Sequence, residues 1–211
     1  MSGHSKWANI KHKKEKTDAQ KAKVFTKIGK EISVAVKEGG GDPVSNSKLR
    51  DLIQKAKANN VPNDNIDRII KKAMGSTGES YEEITYEGYG PGGVAVIVET
   101  TTDNRNRTAG NVRAYFNKFK GNLGTSGCVG FLFEEKGVIV VNNEDGDIDE
   151  DKLMETALEA GAEDFASDDG VFEIYTVPDD LYAVNDAIVK AGYPVLSAET
   201  AKVPTNTVTL T

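Results

Sequence analysis

The spacing of apolar residues changes once along this chain, and that change limits the fold more than any other feature. Up to Gly75 they recur at intervals of three and four, the period of one helix face; from Tyr81 onward, short apolar runs between glycine and proline turns take over. Ala22, Phe25, Ile28, Ile32, Ala35 and Val36 form the first stripe. A T-x-x-Q capping box, Thr17 and Gln20, opens it, and Gly39-Gly40-Gly41 closes it. Leu49, Leu52, Ile53 and Ala56 follow the cap candidates Ser45-Asn46-Ser47. Ile66, Ile69, Ile70 and Ala73 follow Pro62-Asn63 and end at Gly75, with Lys71 and Lys72 suited to the negative end of the helix dipole. Three short amphipathic helices on brief connections predict a bundle, and "GSTGES" at 75–80 reads as a linker.

Beyond the linker, "YEEITYEGYGPGGVAVIVETTTD" predicts two strands around a glycine-proline turn. "NRNRTAGNVRAYFNKFKG" predicts a helix with Val112, Tyr115, Phe116 and Phe119 inward and Gly121 as its stop. "GFLFEEKGVIVVN" reads as a hairpin about Lys136-Gly137, followed by a helix near 150–160, strands near 163–177, a helix near 179–191 and a strand near 194–202. Helices alternating with mostly hairpin-linked strands imply α+β modules rather than one parallel sheet. The predicted fold class is therefore α+β and multidomain, an N-terminal three-helix bundle followed by two small α+β domains.

Charge divides along similar lines. Residues 1–75 hold 17 basic and 8 acidic residues, a net +9; 76–128 are close to neutral; 129–203 hold 4 basic and 19 acidic residues, a net −15. A basic segment on a chain whose overall charge is −7 points to a polyanionic partner, which the acidic part would repel and so orient. No apolar run approaches the roughly 20 residues that cross a bilayer, and the N-terminus lacks the apolar segment of a secretory signal. With the single cysteine, Cys128, these features give the expectation of a cytoplasmic protein with no membrane partner.

Several motifs invite chemistry and fail. "GYGPGG" at 88–93 matches the dinucleotide pattern, but a strand follows it where the pyrophosphate requires a helix N-terminus, so it reads as a turn. "EDGDIDEDK" at 144–152 alternates carboxylates; a calcium loop starting at Asp147 needs glycine and glutamate where Lys152 and Leu158 stand. His4 and His12 lie in the basic arm without cysteine or carboxylate partners, and Cys128 has no recognisable histidine to activate it. The reading is a non-enzymatic protein with no cofactor, no metal and no small-molecule substrate.

The positive evidence is the basic arm, residues 1–16. Lys6, Trp7, Lys11, His12, Lys13, Lys14 and Lys16 combine phosphate-neutralising charge with a stacking indole, and they lead into Lys23, Lys27 and Lys30 on the side of the first helix opposite its apolar stripe. A solvated surface is the plain alternative for such lysines. A second candidate is "TDNRNRT" at 102–108, where Arg105 and Arg107 stand at a helix start whose amides could also meet an anion. A capped helix with surface arginines explains that segment equally well.

The segments "GHSKWANIKHKK", "NNVPNDNIDRIIKKA", "YEGYGPGGVAVIVETTTDNRNRT" and "GNLGTSGCVGFLFEEKG" together resemble the YebC/PmpR family of bacterial proteins, and the similarity spans nearly the whole chain. The resemblance implies a helical domain at 17–75, an acidic α+β domain at 129–204, and a discontinuous middle domain of 80–128 closed by 205–211, where "TNTVTLT" should be a returning strand. Family members continue for a further helix and strand beyond Thr211, which implies an incomplete middle domain here. The family's motif falls on Gly3, His4, Ser5, Lys6, Trp7, Asn9 and Lys11. Its described roles imply a DNA-binding transcriptional regulator or a ribosome-associated translation factor, related to a mitochondrial translational activator and aiding synthesis through proline-rich stretches. The partner is then DNA or ribosomal RNA. An adaptor working through its acidic module is the remaining alternative.

Overall fold

The computed structural model describes residues 18–75, 80–168 and 170–210. Two compact units emerge, one spanning 18–133 with the returning segment from Pro204, the other Glu134–Val203. The architecture is α+β.

The first unit opens with α1 (Asp18–Gly39), α2 (Ser47–Ala58) and α3 (Asn63–Met74). Ile28, Ile32, Ala35 and Val36 of α1 pack against Leu49, Leu52, Ala56, Val61 and Ile66, so the predicted stripes meet in one core. One side chain ties the first two helices. Asn46 is buried, accepts from the Leu49 amide at 3.0 Å as the cap of α2, and donates through Nδ2 to the carbonyls of Ala35 and Gly40, both at 2.8 Å. It therefore satisfies the start of α2 and the end of α1 together. Residues 17 and 20 were expected to form the cap of α1. Thr17 lies outside the described residues.

After the linker, β1 (Glu82–Tyr89) and β2 (Ala95–Thr102) pair antiparallel in unbroken register from Glu82 opposite Thr102 to Tyr89 opposite Ala95. The turn between them has Gly92 at φ +75° and Gly93 at φ +78°, a left-handed pair that suits glycine and gives the "GYGPGG" motif a structural purpose. Next come α4 (Arg105–Lys118) and the short β3 (Asn122–Leu123), which pairs on the free side of β1 to give the order β2-β1-β3. Lys48 of α2 joins bundle to sheet by reaching Glu83 at 2.7 Å and Glu38 at 3.2 Å. Burial by itself would lower its pKa, but the hydrogen bonds to Glu83 and then Glu38 outweigh it and hold Lys48 above the usual lysine value.

The loop after β3 is fixed from inside. Glu87 on β1 is only 8% exposed, and its Oε1 accepts from the Gly127 amide at 2.8 Å while Oε2 accepts from Val129 and Gly130 at 2.9 and 2.6 Å. These bonds, Gly127 and Val129 foremost, hold the carboxyl below the ordinary glutamate range against the opposing effect of burial.

In the second unit β4 (Phe133–Asn142), α5 (Glu150–Glu159), β5 (Asp164–Asp168), β6 (Val171–Thr176), α6 (Leu181–Lys190) and β7 (Val195–Pro204) form a sheet of order β5-β6-β4-β7 with two helices. Ile139 and Val141 of β4 join Phe172, Ile174, Leu153, Ala157, Leu181, Val184 and Ile188, while Val138 and Val140 are buried on the opposite face. A strand buried on both faces accounts for the unbroken run "VIVV". Asp149, in the acidic loop, caps α5 by accepting from the Lys152 amide at 3.2 Å.

Three expectations are corrected. Lys136-Gly137 makes no hairpin: β4 runs through it, and Gly137 sits opposite Thr176, where a Cβ would collide with the Thr176 hydroxyl and crowd Leu181. The glycine marks a close approach, not a turn. Tyr115 and Phe119 are 63% and 62% exposed; only Val112 and Phe116 of α4 turn inward, because a sheet whose third strand is two residues long covers one narrow stripe of the helix. Residues 205–210 form no strand. Thr205 donates its amide to the Leu132 carbonyl at 2.9 Å and Leu210 lies against Gly92, but Val208 and Leu210 stay about half exposed or more, without the ladder that a strand needs.

Replacing Asn46 by alanine removes the double cap and should lower stability by about 1–3 kcal/mol in urea unfolding. Glu87→Gln sets an amide NH2 against donors and should destabilise at neutral pH. Because the folded-state pKa of Glu87 is depressed, its contribution is complete above the unfolded carboxylate pKa of about 4.3 and is lost as pH falls through the lower folded value. The gap between wild type and variant should therefore narrow below about pH 4, as read by denaturation curves across pH.

Candidate nucleic-acid interface

Of the sequence-predicted contacts, Lys6, Trp7, Lys11, His12, Lys13, Lys14 and Lys16 lie outside the described residues. Lys23 and Lys27 are exposed on α1, and Lys27 leans toward Glu31 at 3.7 Å. Glu31 is itself buried and bonded to Lys55 at 3.0 Å, so it spans α1 and α2. Lys30 is half-buried, with its ammonium 4.9 Å from the centre of the Tyr81 ring.

Arg105 and Arg107 stand at the start of α4. Thr102, buried at the end of β2, accepts from the Asn104 amide at 2.9 Å and from the Thr108 hydroxyl at 2.8 Å, which locks the bend into the helix. Asn104 then caps α4 by accepting from the Arg107 amide at 2.9 Å. That amide is thus already bonded within the chain, and the capped-helix account describes the backbone. The side chains still project: Arg105 reaches Glu82 at 2.9 Å with 67% of its side chain exposed, and Arg107 pairs with Asp103.

The Asp103 carboxyl is held below the usual aspartate range chiefly by the hydrogen bond from Arg107, and Lys30 of α1 adds to the shift through its charge. Lys30 is thus within electrostatic reach of the Asp103–Arg107 pair. A sequence separation of about 75 residues hid that proximity. It also hid Tyr81, which folds back onto α1 from just beyond the linker.

Tyr81 lines a groove of about 200 Å³ with Thr26, Gly29, Lys30, Ser33 and Lys37 of α1 and Ile69, Lys72 and Ala73 of α3. A Cβ at Gly29 would stand 3.2 Å from Ile69 Cδ1, so the missing side chain lets the two helices close at this level. Of this lining, the sequence marked Lys30 as a candidate contact and Lys72 as suited to the negative end of the α3 dipole. Among the described residues no group of three or more histidine, cysteine, aspartate or glutamate side chains could hold a metal ion, and no described helix is long and apolar enough to cross a membrane.

Residues 5–76 match a family model described as the TACO1/YebC protein N-terminal domain, and residues 81–211 match one described as the TACO1/YebC second and third domain. A "probable transcriptional regulatory protein" of Acetivibrio thermocellus is 61% identical over all of this chain and 87% of that protein. One of the same designation from Ruminiclostridium cellulolyticum is 61% identical over all of this chain and 85% of its own length. The crystal structure of a conserved hypothetical protein from Aquifex aeolicus, 50% identical, superposes with a TM-score of 0.81 over 97% of this chain and 84% of that one.

Proposed function

The chain belongs to the TACO1/YebC family, and from that premise we propose that it is a non-enzymatic, nucleic-acid-binding regulator of gene expression acting in the cytoplasm. One observation carries the reading: Lys30 of α1 lies within electrostatic reach of Arg107 and Asp103 at the start of α4, in the same compact unit. Cations grouped in this way can neutralise successive phosphates, each contact adding affinity by releasing counterions. In sequence, residues 1–16 add five lysines and Trp7 immediately before α1. The net −15 of residues 129–203 repels the same polyanion and so restricts docking to the basic side.

The homologues' designation, transcriptional regulation, supports DNA as the partner. A second reading, a translation factor on ribosomal RNA, is favoured by the choice of cation. Lys23, Lys27 and Lys30 offer charge without the paired donors that read base edges, so they suit a target recognised by position.

Lys23→Gln combined with Lys27→Gln should weaken binding alike for all sequences and reduce the slope of log affinity against log salt by about 0.7–0.9 per lost contact. An unchanged slope in fluorescence anisotropy would remove these residues from the interface. Sedimentation of the full chain from lysate, at low and high salt and with or without ribonuclease, separates the two partners. Ribosome co-migration lost on RNA digestion means translation, whereas recovery on DNA alone means transcription.

A further inference from the structure

We infer that the helix-free face of the second unit's sheet is a docking surface for residues 1–16 of the same chain. The acidic module thereby holds the basic arm until a polyanion competes for it. The docking stands without the nucleic-acid reading, which supplies only the competitor.

The sheet β5-β6-β4-β7 has two unlike faces. Leu153 and Ala157 of α5 and Leu181, Val184 and Ile188 of α6 pack on the face of Ile139 and Ile174. The other face carries Val138, Val140 and Val171, and among the described residues every apolar side chain packed against these comes from β6 or β7. A bare sheet face leaves its central side chains open to water, yet Val138, Val140, Val171 and Glu173 are at most 3% exposed. A further layer must therefore lie over them. The register shows its width. Glu173 stands between Val140 and Ala166; Val140 is buried, Ala166 on the edge strand is exposed, and Leu196, Ala201 and Val203 on the opposite edge are half-buried. The covered strip is thus the two middle strands, β4 and β6, about 10 Å across and so the width of one peptide segment.

Length and charge select the arm as that layer. Outside the described residues only 1–17 is long enough, since 76–79 and the single positions 169 and 211 are too short to cover four side chains on two strands. The arm brings Lys6, Lys11, Lys13, Lys14 and Lys16 against one acid, Glu15, with Trp7 and Ile10 as its large apolar side chains. The face offers the counterpart. Its floor is valine, with the buried Glu173 carboxylate accepting from the Tyr175 hydroxyl at 2.6 Å, and exposed carboxylates stand at its margin: Asp164 opposite Tyr175, and Glu134 in alternation with Val138 on β4. Lys136 shares this face and is already paired with Glu134 and Glu163, at 3.6 and 3.5 Å. Lysine stems and an indole cover apolar floor while the ammonium groups reach carboxylates at the rim. The net −15 of residues 129–203 adds attraction at longer range.

Trp7 is the one tryptophan of the chain, so its fluorescence reads the arm alone. In the full-length protein at low salt, acrylamide should quench it severalfold less than it quenches a synthetic peptide of residues 1–16. Glu134→Gln combined with Asp164→Asn alters only exposed side chains at the margin and should raise quenching toward the peptide's value. Salt at roughly 1 M, where the Debye length falls to about 3 Å, should bring wild type to the level of the double variant. Carbodiimide coupling at low salt should join arm lysines to Glu134 or Asp164 within one chain, as located by mass spectrometry. Wild-type quenching equal to the peptide's, a double variant indistinguishable from wild type, or coupling of the arm only to carboxylates of residues 18–128 overturns the docking. Bound oligouridylate or oligothymidylate should release Trp7 to the quencher; protection that persists in the bound state overturns the competition. If neither oligonucleotide binds, the nucleic-acid reading fails, while quenching and coupling still decide the docking.

Discussion

Glu87 holds a negative charge away from solvent with no salt-bridge partner among the described residues, and the geometry of the first unit follows from how that charge is satisfied. Three amides of the loop after β3 point at its two oxygens. Such an arrangement favours the ionised form, and it requires the loop to keep one shape. The loop in turn delivers the chain to Leu132, whose carbonyl receives both the amide and the hydroxyl of Thr205 as the chain comes back. A strand residue thereby governs a departure and a return that are more than 70 residues apart in sequence.

The cationic surface depends on a different device, the joining of bundle to sheet. Lys48 pairs with Glu83 across that junction, and Lys30 meets Tyr81 there. Exposed ion pairs contribute little stability individually. Their value here is positional, since they fix the bundle against the start of the sheet. On the nucleic-acid reading proposed above the cost is competition: Glu82 and Asp103 hold Arg105 and Arg107, and a phosphate would have to displace or share those carboxylates.

Much of the helical part was legible because each stripe has its own cap and stop, and a three-helix core leaves few ways to combine them. Ile32 and Leu49 were predicted inward and are inaccessible to solvent. The failures share one cause, which is that local pattern carries no information on distant partners. Gly137 looks like a turn until Leu181 is seen against it; Phe119 looks like core until the sheet beneath it is seen to be narrow. Glu87, at an ordinary strand position, gave no sign of burial, because its partners are backbone amides and not residue types. The same reason hid Tyr81, whereas the lysines of α1, which depend only on helical period, were placed on the correct side.

The second unit begins at Glu134 and ends at Val203, and its ends lie together: Lys202 reaches Glu135 at 3.4 Å. A module whose entry and exit coincide can be spliced into a host loop with little loss of chain entropy, because closing the host across the gap demands almost no span. It behaves as a cassette. The acidic module can therefore be lengthened, exchanged or recharged over evolutionary time without redesign of the basic one, so the charges of the two are free to vary on separate schedules.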